Sequence, residues 1–166
     1  MDALFEIIRR GPRENKSLTM PAVAIVEGAA MQEDTTNPGT AKLADGTTPF
    51  GGFVNRPVVV GVPTPTYAEL AGGGSLPLES PYQAGHEGSL EDADEVIAEG
   101  ADYVLGTGGD AISAGTAVNT KCSFRVGKFC VAQTNQRVEY VLIEKPAPVV
   151  AGNFRGRFKK VTTQML

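Results

Sequence analysis

Glycine and proline punctuate this chain: 20 Gly and 11 Pro in 166 residues, with no collagen-like period. Each one stops or bends a regular element, so the chain is a set of short runs joined by many turns and leaves little room for long helices. Strands tolerate that spacing. The clearest run closes the chain, from Gly108 to Ala147. Val138, Tyr140 and Leu142 alternate with Glu139, Val141 and Ile143 over Val138–Glu144, the period of a strand. Pro146 and Pro148 end it. Val118–Phe124 and Lys128–Ala132 flank a turn at Arg125-Val126-Gly127, and Asn153–Val161 alternates again. Short strands at this spacing predict a mainly β fold, a small sandwich or barrel, jelly-roll-like, with long irregular loops.

Earlier segments read less clearly. Residues 2–9 suit two helical turns with Leu4, Phe5 and Ile8 on one face, ended by Gly11-Pro12, and Arg13–Thr19 reads as a polar linker. Strands are expected at Val23–Val26, Phe50–Val54, Pro57–Val62 and Tyr103–Leu105. Ile112, Ala114 and Thr116 alternate with small residues. Lys42-Leu43-Ala44 leads into Asp45-Gly46, a hairpin turn signal. Ser89–Glu99 fits either a short helix capped by Ser89 and Gly100 or an extended segment through Val96 and Ile97. The domain organisation expected is an N-terminal arm (1–20), a β-rich domain (21–151) with an irregular excursion near 63–100, and a C-terminal basic strand (152–166). Aromatic residues are 7% and Trp is absent, which predicts an aliphatic core.

Charge is unevenly spread. Residues 1–20 carry four basic and three acidic groups, 21–151 seven basic and sixteen acidic, and 152–166 four basic and none acidic. An acidic body with a basic tail is a poor nucleic-acid binder but suits a charged protein partner. No stretch approaches the ~20 apolar residues of a membrane span. Arg9-Arg10 follows the first apolar run, where a secretory signal would have its charges before it.

Few residues carry candidate chemistry. Gly106-Thr107-Gly108-Gly109-Asp110-Ala111 matches the dinucleotide fingerprint in form, but Ile112–Val118 is poor helix, so a tight turn is expected and no cofactor. Glu91, Asp92, Asp94 and Glu95 read as a solvated acidic helix start rather than a metal site, and His86 stands alone in a long loop, without a catalytic partner. Valine is poor at positive φ. A three-residue hairpin loop with Gly127 left-handed therefore fits best and would set Cys122 directly across from Cys130 as buried, reduced thiols; a two-residue turn would put them on opposite faces. Arg155, Arg157 and Lys159 fall on one strand face, with Phe154 and Phe158 on the other. That segment reads as a charged edge strand or as a basic strip that docks on another surface.

Gly109–Val118, with its spacing G-x-x-I-x-A-G-x-x-V, then Gly127-Lys128-Phe129, then Val138–Glu144, resembles the capsid decoration (cement) proteins of tailed bacteriophages. Val26-Glu27-Gly28-Ala29, Thr40–Asp45 and Gly52-Phe53-Val54 are similar to them too. The resemblance covers about half the chain. It implies a non-enzymatic virion structural protein, made in the host cytoplasm, that binds the outer capsid surface at capsomer junctions and steadies the head against DNA pressure. The partners implied are the major capsid protein and further copies of the chain, as a homodimer or homotrimer, with neither nucleic acid nor membrane. Leu4, Phe5, Ile8, Tyr82, His86, Arg155, Arg157 and Lys159 are the expected contacts; no catalytic, cofactor or metal residues are assigned. A head-completion or tail component is the alternative reading, and a ligand-binding β-barrel or enzyme a more distant one.

Overall fold

A computed structural model describes residues 4–61, 81–149 and 154–166. Its elements are strands throughout: β1 (Leu4–Arg10), β2 (Lys16–Thr19), β3 (Ala30–Glu33), β4 (Ala41–Leu43), β5 (Phe50–Val54), β6 (Val58–Val59) and β7 (Tyr82–Gln83). There follow β8 (Glu87–Glu91), β9 (Ala93–Glu99), β10 (Lys121–Arg125), β11 (Lys128–Val131), β12 (Arg137–Leu142), β13 (Ala147–Pro148) and β14 (Phe154–Met165). They form a seven-stranded sheet A in the order β1-β9-β14-β12-β10-β11, with β13 also on β14, and a five-stranded sheet B in the order β2-β8-β5-β3-β4. A short parallel ladder joins β6 to β7. The two large sheets are antiparallel and stack as a sandwich; neither closes into a barrel.

One bent ribbon links the sheets. β8 belongs to sheet B and β9 to sheet A, and a single residue, Asp92, separates them. Alongside, β2 pairs with β8 and β1 with β9, both antiparallel. Residues 4–19 and 87–99 thus travel together around the corner of the sandwich, the bend by which a strand passes from one sheet to the next.

Aromatic rings fill the space between the sheets. Phe50 and Phe53 come from β5, Phe124 from β10, Phe129 from β11, Tyr140 from β12 and Phe158 from β14, and all six are buried. Phe129 and Phe158 stack with centroids 3.9 Å apart, while Phe129 and Tyr140 meet nearly edge-on at 87°. The expected aliphatic core is therefore corrected. A low aromatic content does not dilute the rings when alternation on several strands points them at one centre. A second, aliphatic cluster of Leu18, Met20, Ile25, Met31, Val54, Val58 and Leu90 covers the other face of sheet B, so that sheet is buried on both sides.

Several expectations of local structure change. Residues 4–10 form a strand, not a helix. Phe5 and Ile7 turn toward the core while Leu4, Glu6 and Ile8 point out, because a short helix gains little alone and the sheet offers seven residues a partner. The polar Lys16–Thr19 is a strand held by its ladder, with only Leu18 buried. Val23 and Val26 are exposed and Ile25 makes a lone bridge to Val58, and β6 keeps two residues of the expected Pro57–Val62, whose last residue, like 63–80 of the expected excursion, lies outside the described residues. Of Tyr103–Leu105, Val104 alone bridges to Phe129, and Ile112–Thr116 turns rather than extends, with Ile112 buried. β4 pairs with β3 rather than across Asp45-Gly46, since β3 lies between β4 and β5. Over Ser89–Glu99 the extended alternative is the one adopted.

The hairpin between β10 and β11 turns in two residues, not three. Arg125 pairs with Lys128, with Val126 at φ 53° and Gly127 at φ 74°. That turn has the twist the strands require. The tip is also tied down: Gly127 N–H donates to Ala44 C=O at 2.9 Å and Ala30 N–H donates to Gly127 C=O at 3.0 Å. These bonds hold Val126 in a conformation it disfavours. Cys122 consequently faces Val131, and Ser123 faces Cys130, which puts the thiols on opposite faces of the hairpin. Both are free and buried.

Candidate binding surface

The outward face of sheet A carries a ladder of charge. β14 is an interior strand, flanked by β9 and β12, and not the expected edge. Its basic side chains meet the acidic ones of β9. Arg155 lies beside Glu99 in register and approaches it at 3.9 Å; Arg157 bonds Glu95 and, at 2.9 Å, Glu144 beyond the end of β12. These carboxylates, Glu95 first, hold the Arg157 guanidinium above its ordinary pKa. Lys159 lies beside Glu95 on one side and Val141 on the other, exposed and with no ion pair among the described residues. Ile97, between Glu95 and Glu99, is nearly buried on this outer face. The aliphatic stems of arginines beside such a residue can cover it. The basic strip visible in the sequence therefore has most of its partners within its own sheet.

The acidic run 91–95 is not a solvated helix start. Asp92 sits buried at the corner of the ribbon. It accepts from Arg13 N–H at 3.2 Å and the Arg13 guanidinium at 2.8 Å, and Lys160 reaches it from β14. Burial pushes its pKa up, but the bonds from Arg13 and Lys160 outweigh burial and bring it to about 2. Three distant parts of the chain thus converge on one carboxylate. Sequence alone could not bring Arg13 or Lys160 to Asp92. Glu139, on the strand face opposite Val138, Tyr140 and Leu142, is another buried carboxylate; it accepts from Thr163 Oγ1 at 2.8 Å and pairs with Arg137 at 3.3 Å.

β1 forms the rim of sheet A. Leu4 and Ile8 are exposed there, while Phe5 packs on Phe53 and Tyr103 with centroids 4.8 and 5.5 Å away. Gly28, at φ 85°, leaves the room that Phe5 needs; a side chain there would run into the ring. Beside this rim lies a cleft of about 250 Å³ lined by Phe5, Ile7, Phe53 and Val54 together with Glu6, Glu27, Asn55 and Glu91. Tyr82 and His86 sit elsewhere, near β7 and the second cluster. Tyr82 is half-buried and donates to Asn55 Oδ1 at 2.5 Å, and His86 is exposed in the turn before β8. The eight expected contacts therefore occupy separate places: the β1 rim, the outer face of sheet A and the β7 side.

The other candidate chemistry resolves into packing. Gly106–Ala111 is a turn with no helix after it, and its Asp110 holds Arg125 at 2.9 Å while its main chain borders β11. Burial pushes the Cys122 and Cys130 thiols up to about 12. Among the described residues no group of three His, Cys, Asp or Glu side chains is placed to hold a metal. No family model, curated protein or solved structure matches this chain.

Proposed function

We propose that this protein is a virion structural protein that binds the outer surface of a phage capsid at capsomer junctions and stabilises the head against the pressure of packaged DNA. The observation that carries the reading is the β1 rim. An edge strand with exposed Leu4 and Ile8 beside a cleft lined both by Phe5, Ile7, Phe53 and Val54 and by Glu6, Glu27 and Glu91 is a surface suited to another protein. The rest of the fold is suited to transmitting load: two antiparallel sheets, an aromatic core and a corner locked by Asp92. The sequence resemblance to decoration proteins supplies the capsid as partner. Leu4, Ile8, His86, Arg155 and Lys159 are the exposed members of the expected contact set, so they are the ones best placed to touch a shell.

Particles lacking this protein should release DNA at lower temperature or under milder osmotic shock than complete particles, and adding purified protein should restore them. Equal stability of the two particles would remove the cementing role. Hundreds of copies per particle would fit decoration, whereas a dozen or fewer would favour a head-completion or tail component.

A further inference from the structure

The outward face of sheet A is ordered across its strands as well as along β14. Lys121 on β10 pairs with Val141 on β12, Val141 with Lys159 on β14, and Lys159 with Glu95 on β9. The one register shift in these three ladders lies between Val138 and Tyr140, outside the row. Directly opposed residues of a ladder stand side by side on one face. The chain neighbours Cys122, Tyr140, Leu142, Phe158 and Val96 are wholly buried in the core, so the row itself points outward.

The charges of this face are unequally spent. Glu95 is nearly buried and is bonded to Arg157. Glu144 pairs with the same arginine, and Glu99 with Arg155. Lys121 and Lys159 are exposed, and neither has an ion pair among the described residues. Lys159 therefore has its companion across the sheet rather than along its own strand. Val141 stands between the two lysines, half-buried. Ile143, just past the end of β12, is half-buried too, and its N–H donates to Arg157 C=O at 2.9 Å. Together they make a small aliphatic ledge flanked by two cations.

The spacing of the row selects its complement. Neighbouring strands lie about 4.8 Å apart, so the two lysine backbones are ~10 Å apart with Val141 midway. An α-helix rises about 1.5 Å per residue, so its positions i and i+7 are ~10.5 Å apart on one face, with i+3 and i+4 between them. Carboxylates at i and i+7 and a leucine at i+3 or i+4 match the row charge for charge and set an apolar side chain on Val141. A nucleic acid matches it poorly. Glu95, Glu99 and Glu144 share this face and oppose a backbone charged at every step, and the row carries no ring on which a base could stack.

We propose that the Lys121–Val141–Lys159 row is a docking site for an acidic amphipathic helix of a partner protein, whose carboxylates at i and i+7 meet the two lysines while an aliphatic residue between them rests on Val141. Both ion pairs lie at the surface, so one contact is weak and salt-dependent, and repetition of copies strengthens it. The contact belongs to sheet A alone and does not rest on the capsid reading.

The test is a titration of the isotopically labelled full chain, to millimolar concentration, with a synthetic alanine-rich helix carrying Glu at i, Leu at i+3 and Glu at i+7, followed by amide NMR. The amides of Lys121, Val141 and Lys159 should shift saturably, and ~1 M salt, where the Debye length is about 3 Å, should weaken binding about tenfold. Lys159→Gln should weaken it about threefold. The folded double variant Lys121→Glu with Lys159→Glu should lose the shifts, and the same helix with Lys in place of both Glu should bind that variant and not wild type. Absence of a saturable shift in wild type, Lys159→Gln binding as wild type does, or a charge-reversed helix that ignores the folded double variant would each overturn the proposal. So would a short single-stranded oligonucleotide that binds more tightly than the helix through the same lysines, which would assign the row to nucleic acid. Loss of the helix contact beside fragile protein-free particles would leave the capsid reading standing; unchanged particle stability would sink that reading and leave a measured helix contact intact.

Discussion

Asp92 shows how much one side chain can hold. Its folded pKa, about 2, lies below the ordinary ~3.9 of an aspartate. A depressed carboxylate stabilises the fold fully above the unfolded value and loses that contribution as pH falls through the folded one. The stabilisation here is about 2 kcal/mol, lost as pH drops from about 4 to about 2. Asp92→Asn should therefore lower stability by about 2 kcal/mol at neutral pH, and wild type and variant should converge in acid denaturation near pH 2. A constant gap across that range would contradict the linkage. Val126 is the opposite case, an exposed side chain at φ 53° where asparagine or glycine is at ease. Val126→Asn should stabilise by about 1 kcal/mol and raise Tm by about 2–4 °C, read by calorimetry. The cysteines make a third case. With both thiols buried and pushed up to about 12, a thiol reagent should label neither until the protein unfolds, and oxidants should not join them. Rapid labelling of the folded protein would mean that the hairpin opens far more often than its packing allows.

The elements that could be read in advance were those with strong alternation and few long-range debts. Val138–Glu144 alternates in sequence and the β10–β11 pair turns on a glycine; the strands form at Arg137–Leu142, Lys121–Arg125 and Lys128–Val131, overlapping the expected Val138–Glu144, Val118–Phe124 and Lys128–Ala132 without reaching Val118–Thr120 or Ile143–Glu144. β1 and β2 were not legible as strands. Lys16–Thr19 offers one buried leucine, and Leu4–Arg10 satisfies a helical spacing as well as an extended one, so their partners β8 and β9 decide. The same blindness affected the surface. Arg155, Arg157 and Lys159 were recognised as one face, but only sheet order could reveal that Glu95 and Glu99 lie next to two of them. The local penalty at Val126 argues for a three-residue loop, and the two tip hydrogen bonds that offset it come from β3 and the end of β4, which the local sequence does not contain. These observations make removal of the first ten residues a matter of stability. It would strip Phe5 and Ile7 from the core and expose β9, so a truncated chain should melt well below the intact one by circular dichroism. If it melted normally, β1 would be an appendage after all.

As a whole, the molecule is a sandwich whose class was readable from turn spacing and whose interior was not. Composition counts aromatic residues but cannot say that six of them converge between two sheets. The proposed capsid role takes its partner from the resemblance, because Asp92, Asp110, Cys122 and Cys130 are engaged in packing and pairing. β1 and β14, near the two ends of the chain, both run antiparallel to β9 and lie on either side of it, with Leu4 level with Arg155 and Arg9 level with Lys159. The two terminal strands are therefore parallel to each other. Tension applied between the chain ends would pull them in opposite senses along their length, loading the ladders on β9 in shear, where many bonds must fail together, rather than peeling them one by one. In a single-molecule stretch from end to end the protein should give one high-force rupture, while a pull across the sheet, from β1 to β11, should open it at much lower force.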